Sequence, residues 1–190
     1  MPHGASESTP CRPATRPAAP PAARGRRELG FTLIELLIAV VIVGILARIA
    51  IPAYSQYILR GQLTNATNGL NAAAAQMEQY FQDNRVYNAT GTLSPPCTTA
   101  AQLGQFMISC VAPTSGTTPG GMPAPGTTAT SYILVAQGGF ASNGTYSAGL
   151  PTAGFYYTLD NSGNKTSFAS ATWGSASCSP GWMTREGSCG

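Results

Sequence analysis

The chain has 190 residues, ten Lys/Arg against seven Asp/Glu for a formal charge of +3, and only 9% charged residues in all. Its single histidine is His3 and its acids are scattered, which leaves no spacing for a Ser-His-Asp triad or a His-based metal site. None of the five cysteines forms a CxxC pair, so a zinc site built on thiolates is disfavoured as well.

Residues 1 to 30, MPHGASESTPCRPATRPAAPPAARGRRELG, are rich in Pro, Ala and Arg and lack apolar periodicity, so they read as disordered. From Phe31 to Ile51 the chain is almost wholly apolar, interrupted by Thr32, Glu35, Gly44 and Arg48. As a helix rising about 1.5 Å per residue, that run reaches roughly 32 Å, enough to cross a bilayer core. Arg26 and Arg27 stand before it, which places the amino end in the cytoplasm. A secretory signal has a shorter apolar core followed by a small-residue cleavage site. Here the small residue, Gly30, precedes the run. A plain anchor explains the length but not Glu35, because a carboxylate in hydrocarbon is costly unless paired and is a functional candidate by default.

The string G-FTLIELL, with its junction between Gly30 and Phe31, resembles the leader-peptidase site of type IV prepilins. The resemblance is dense from Arg27 to Tyr57 and is shared with the pseudopilins of type II secretion. It implies cleavage after Gly30 by a prepilin peptidase/N-methyltransferase, N-methylation of Phe31 and insertion in the inner membrane with the amino terminus cytoplasmic. It further implies extraction by the pilus assembly machinery into an extracellular filament of pilin subunits. Glu35 is then the buried acid that meets a neighbouring subunit's terminal amine, and Pro52 of IPAY the helix-kink proline. The physics agrees. Glu35 lies one helical turn after Phe31, and an ammonium against that carboxylate neutralises a costly charge and fixes axial register. The leader is longer than is usual in the family, through extension or an upstream start, and Arg48 stands where the family favours small apolar residues.

Cleavage after Gly30 leaves residues 31 to 190, 160 in number. Arg12, Arg16, Arg24, Arg26 and Arg27 depart with Glu7 and Glu28, which removes the whole formal surplus, and His3 and Cys11 depart too. The remaining charges balance: Arg48, Arg60, Arg85, Lys165 and Arg185 against Glu35, Glu78, Asp83, Asp160 and Glu186.

Behind Pro52, which removes a backbone donor and should bend the helix, Leu59, Leu63, Ala66, Leu70, Ala73, Met77 and Tyr80 recur at intervals of four and three. That stripe predicts an amphipathic helix over 52–84 lying on the protein's own sheet. Gly61 and Gly69 each cost it about 1 kcal/mol relative to Ala. Residues 85–105 read as irregular, with Gly91, Pro95 and Pro96 as breakers. FMISC, from Phe106 to Cys110, reads as a strand, and 112–130 as an exposed Pro/Gly/Thr-rich loop. SYILVAQ (Ser131 to Gln137) and FYYTL (Phe155 to Leu159) are further strands. DNSGN, Asp160 to Asn164, is a tight turn returning through KTSFA from Lys165. Trp173, Trp182 and the Cys178–Cys189 tail should fold over the sheet. A long helix followed by antiparallel strands gives an α+β fold, with a globular β domain over 85–190.

QYFQDNRVY near Tyr80 to Tyr87, and YTLDNSGNKTS followed by WGSASC, also resemble PilE- and ComP-type minor pilins. In a domain outside the cytoplasm, Cys97, Cys110, Cys178 and Cys189 suggest two disulfides with three connectivities. Pairing Cys97 with Cys110 and Cys178 with Cys189 closes short loops, and the resembled family commonly staples its carboxy-terminal segment this way. Here Ser179-Pro180-Gly181 separate the first cysteine of the tail from Trp182, where the family often has Trp directly after it.

Other chemistry is thin. Asp160 to Asn164 offers oxygen side chains for calcium, which some pseudopilins bind, but lacks the acids and terminal Glu of an EF-hand loop and reads as a turn. Asn65, Asn88, Asn143 and Asn164 head glycosylation sequons that an Asn/Thr-rich chain makes by chance. ComP-type pilins act as receptors in DNA uptake. The candidate DNA contacts here are Lys165 and Arg185, a small set for phosphate neutralisation, with Trp173 or Trp182 for stacking. The expectation is a structural, minor type IV pilus subunit that supports biogenesis, adhesion, twitching motility or DNA uptake. No enzyme activity, cofactor or metal is expected. The alternatives are a type II secretion pseudopilin and a DNA-uptake receptor pilin.

Overall fold

The structure is a computed structural model that describes residues 30–111, 119–120 and 122–190, except for the side chain of Thr172. The expected leader before Gly30, and the stretch 112–118 of the expected loop, lie outside the described residues. The chain divides into one unit ending at Val43 and another running from Gly44 to Gly190. One helix, α1 (Leu33–Asn84), contributes residues to both.

The first unit is the start of α1. Thr32 precedes the helix, and its Oγ1 accepts the Glu35 backbone N–H at 3.2 Å. The Leu36 N–H donates to the Thr32 carbonyl at 3.2 Å, the first turn of the helix. Thr32-Leu-Ile-Glu35 therefore has the sequence of a capping box, with a carboxylate in the first turn where the helix dipole favours it. Leu33, Ile34, Leu36, Leu37, Val40 and Val41 are exposed. The helix is long and apolar enough to cross a membrane, and none of its apolar window is buried among the described residues.

In the second unit the expected stripe is the buried face of α1: Leu59, Leu63, Ala66, Leu70, Met77 and Tyr80, with Ala73 partly buried against the same cluster. Burying each of the larger aliphatic side chains is worth about 1.5–3 kcal/mol. Gly69 belongs to this face too. A Cβ there would lie 3.0 Å from Ile108 Cγ1 and 3.4 Å from Leu103 Cδ2, so the glycine lets the helix approach the strands closely, in addition to its propensity cost. Past Asn84 the chain turns at Arg85, whose φ of 62° is left-handed and whose N–H donates to the Phe81 carbonyl at 2.7 Å.

The sheet is antiparallel throughout. Its strands are β1 (Ala101–Leu103), β2 (Phe106–Ser109), β3 (Gly126–Thr127), β4 (Tyr132–Gly138), β5 (Tyr156–Asp160), β6 (Lys165–Phe168) and β7 (Ser177–Cys178), in the order β1-β2-β4-β5-β6-β7, with β3 also on β4. Central β4 and β5 pair from Ile133↔Asp160 to Gln137↔Tyr156. Phe106, Leu134, Phe155, Tyr157, Trp173 and Trp182 join the helix stripe in one core. Separate from this sheet, β8 (Met183–Arg185) and β9 (Ser188–Cys189) form a hairpin.

Two sequence expectations need correction. Residues 85–105 are not wholly irregular. They contain a 3-10 turn, Pro96–Thr98, and β1, which pairs with β2. Within 112–130, β3 pairs with the start of β4 at Ile133 and Tyr132, beyond the point where β2 ends opposite Val135. Strands of two or three residues are made by their neighbours' free backbone groups, and composition does not announce them.

Candidate functional site

At the amino end, Gly30 and Phe31 precede α1 without regular structure, and Phe31 is 82% exposed. The Glu35 side chain is exposed one turn into the helix and makes no ion pair among the described residues. Thr32 is the residue that sequence reasoning missed; the signal was the Thr-x-x-Glu spacing. Pro52 stands inside α1, and Ser55 Oγ donates to its carbonyl at 2.8 Å.

The head carries a second set of side chains. Cys97 is bonded to Cys110, with Cα atoms 5.2 Å apart, and Cys178 to Cys189, with Cα atoms 5.8 Å apart. The second bond ties β9 to β7 at the sheet's end. Three hydrogen bonds seat the hairpin on β5 and β6. Tyr157 Oη donates to the Met183 carbonyl at 2.5 Å, Trp182 Nε1 to the Thr158 carbonyl at 3.0 Å, and the Met183 N–H to Ser167 Oγ at 2.8 Å.

This seating fixes Arg185. Together with Tyr57, Arg60, Gln62 and Asn65 of α1 it lines an open groove of about 460 Å³. Lys165, the other candidate DNA contact, has its Nζ 4.6 Å from the centre of the Trp182 ring, a cation–π contact. The basic side chain that lines this groove with Arg185 is Arg60, a juxtaposition that sequence spacing could not announce.

A third cluster joins helix to sheet. Glu78 accepts Tyr87 Oη at 3.0 Å on each carboxylate oxygen and Tyr132 Oη at 3.2 Å. Tyr87 stacks on Phe81 at 4.5 Å and meets Tyr132 edge-on at 4.9 Å. Burial, then the neighbouring Glu78 carboxylate, pushes both tyrosine hydroxyls above the ordinary 10.0.

In the Asp160–Asn164 loop, Asp160 Oδ1 accepts the N–H groups of Ser162 (2.9 Å) and Asn164 (2.8 Å), and Oδ2 accepts Asn164 Nδ2 at 2.8 Å. The carboxylate thus closes a turn, with Gly163 at a φ of 78°. Among the described residues no three His, Cys, Asp or Glu gather as a metal site.

A capped apolar helix continuing into a stripe that packs on an antiparallel sheet, with a disulfide-closed carboxy-terminal hairpin, defines a class of filament subunits. The chain is similar to the type IV pilins. The prokaryotic N-terminal methylation motif matches residues 25–50. The family described as type IV minor pilin ComP, DNA uptake sequence receptor, matches residues 52–143. Fimbrial protein EcpC of Eikenella corrodens is 37% identical over 90 residues, which cover 47% of this chain and 58% of that one. Type IV major pilin protein PilE of Neisseria gonorrhoeae is 32% identical over 80 residues, 42% of this chain and 48% of that one. A fimbrial protein of Pseudomonas aeruginosa is 40% identical over 67 residues, 35% of this chain and 44% of that one. The chain thus spans about half the length of the relatives it matches.

Proposed function

We propose that this protein is a minor structural subunit of a type IV pilus. Its segment 1–30 is a leader removed after Gly30 by a prepilin peptidase/N-methyltransferase that methylates Phe31. Segment 31–51 anchors it in the inner membrane with its amino terminus in the cytoplasm, and later packs in the filament core. Segment 52–84 is the helical part of the head and 85–190 its β domain, and Pro52 bends the helix between the two halves. During assembly Glu35 takes the terminal amine of the next subunit, which neutralises the acid in an apolar setting. The role is structural rather than catalytic.

The observation that carries this reading is the Gly30–Phe31 junction, set directly before a capped helix whose apolar side chains are exposed. Mass spectrometry of the mature amino terminus is the test. N-methylated Phe31 is expected, and any other first residue overturns the processing. Glu35→Ala in a host lacking the native gene should lower incorporation into sheared pili; undiminished incorporation overturns the assembly role.

The match to the ComP family over 52–143 favours a second reading, reception of DNA. The head offers Arg60, Arg85, Lys165 and Arg185 for phosphates. So few cations give weak, strongly salt-dependent affinity. Retardation of a duplex at low salt supports this reading, and its absence removes it.

A further inference from the structure

Arg60 and Arg185 come from opposite ends of the head's sequence, line one groove, and enter no ion pair among the described residues. Two cations lining one groove, with no acid beside them among the described residues to neutralise them, favour an anion between them. A guanidinium presents a fork of donors suited to a phosphate. The groove is open, with Arg60, Arg185 and Tyr57 exposed, so it suits a ligand on a surface better than an enclosed metabolite.

Its place along α1 points to the source of that phosphate. Ile51 ends the apolar run, and Arg60 follows nine residues later on the same helix, roughly 14 Å along the axis. Helical side chains tilt toward the amino end of their helix, so Tyr57 and Arg60 lean back toward the apolar run. The headgroup layer occupies about 5–8 Å beyond the hydrocarbon edge. A long arginine side chain reaching along the helix spans the rest. Between run and groove, Tyr54 is 68% and Tyr57 73% exposed; tyrosines at such positions settle at the headgroup level.

We propose that the Arg60–Arg185 groove holds the headgroup phosphate of an anionic phospholipid in the outer leaflet of the inner membrane. The contact seats the head on the bilayer while the subunit awaits extraction. This rests on the reading of 31–51 as a membrane anchor. Extraction exchanges the lipid for whatever the filament presents, so the groove marks the unassembled state. DNA binding is favoured by a longer track of cations than two arginines provide. Among the described acidic side chains outside the apolar run, a second copy could offer Asp83 or Glu186, since Glu78 and Asp160 are engaged within the head.

The test is native mass spectrometry of the full chain in detergent micelles. Separate arms receive phosphatidylglycerol, phosphatidylcholine, inorganic phosphate and a short DNA duplex. The wild type should retain phosphatidylglycerol, and Arg60→Gln/Arg185→Gln should weaken that retention about thirtyfold. The Arg60→Lys/Arg185→Lys variant keeps the charge but not the fork and should fall between them, with circular dichroism of each variant reporting the fold. Equal retention of phosphatidylglycerol by wild type and a folded Gln variant overturns the proposal. So does preference for the duplex, for inorganic phosphate or for phosphatidylcholine, and so does a dimer lost in the Gln variant in place of a lipid adduct. Alkaline extraction of cell membranes reports the anchor separately: release of the wild type would sink the anchored reading whatever the lipid arm gives.

Discussion

Glu78 on the long helix accepts the hydroxyl of Tyr132 on β4 at 3.2 Å, across 54 positions of the chain. The same carboxylate holds Tyr87 of the loop that follows the helix. One acid thereby joins three parts of the head, beside the stacked Phe81 and Tyr87 rings and the Tyr132 edge.

Glu78→Ala removes the acceptor from two tyrosines while leaving the helix intact. Hydrogen bonds to a charged group are worth about 1.5–3 kcal/mol, and some solvent reaches Glu78, so a loss of about 2 kcal/mol is expected. Glu78→Gln keeps an acceptor and should lose less. Urea melts followed by near-ultraviolet circular dichroism check both, and an Ala variant as stable as wild type removes the joint's importance.

Alkali should loosen the head. Tyr132 and Tyr157 are held neutral above the ordinary tyrosine value of 10.0, Tyr157 by burial and Tyr132 by burial and then Glu78. Folded hydroxyls keep protons that unfolded ones give up, so stability falls wherever the unfolded chain has ionised and the native has not. The contribution is complete below pH 10.0 and is lost as pH climbs from there toward the folded values. Denaturation midpoints should be flat up to that point and drop above it, with phenolate absorbance of the buried tyrosines appearing only on unfolding.

Gly138 and Gly61 should respond oppositely to alanine. A Cβ at Gly138 would strike the Thr152 carbonyl, a backbone atom, and come within 3.0 Å of Phe106 Cε1. Overpacking of this kind costs about 1–3 kcal/mol. At Gly61 nothing lies within 4 Å, and the gain in helix propensity is about 1 kcal/mol. Thermal melts of the two variants should shift in opposite directions, and a tolerated Gly138→Ala would contradict the packing described.

Replacing Cys178 and Cys189 by serine opens a loop with a sequence separation of 11. The chain-entropy account puts the loss at about 3 kcal/mol. Tyr157 and Trp182 still hold the hairpin at Met183 and Thr158, so the sheet should survive with a lowered melting temperature. A melt unchanged from wild type would mean that those hydrogen bonds alone fix the tail.

The sequence made the helix and the strands of four residues or more plain and the shortest strands invisible. Leu59, Leu63, Leu70 and Met77 declare a helix face by spacing alone, and Ser131 to Gln137 declares a strand by its branched and aromatic residues. Ala101-Gln102-Leu103 declares nothing; it is a strand because β2 offers it hydrogen bonds. Gly69 read as a weakness in the helix, yet Ile108 lies where its side chain would be. At the candidate site, the amino-terminal motif is local and was legible. Arg60 and Arg185 lining one groove, and Lys165 lying on Trp182, depend on where the hairpin docks, which no spacing encodes.

Among the described residues the edge strands of the main sheet, β1, β3 and β7, have three residues, two and two. So brief a margin exposes few unpaired amides, and an intruding strand finds no template there. Copies of this head can therefore crowd together without zipping edge to edge into a continuous ribbon, and their association is left to surfaces made of side chains.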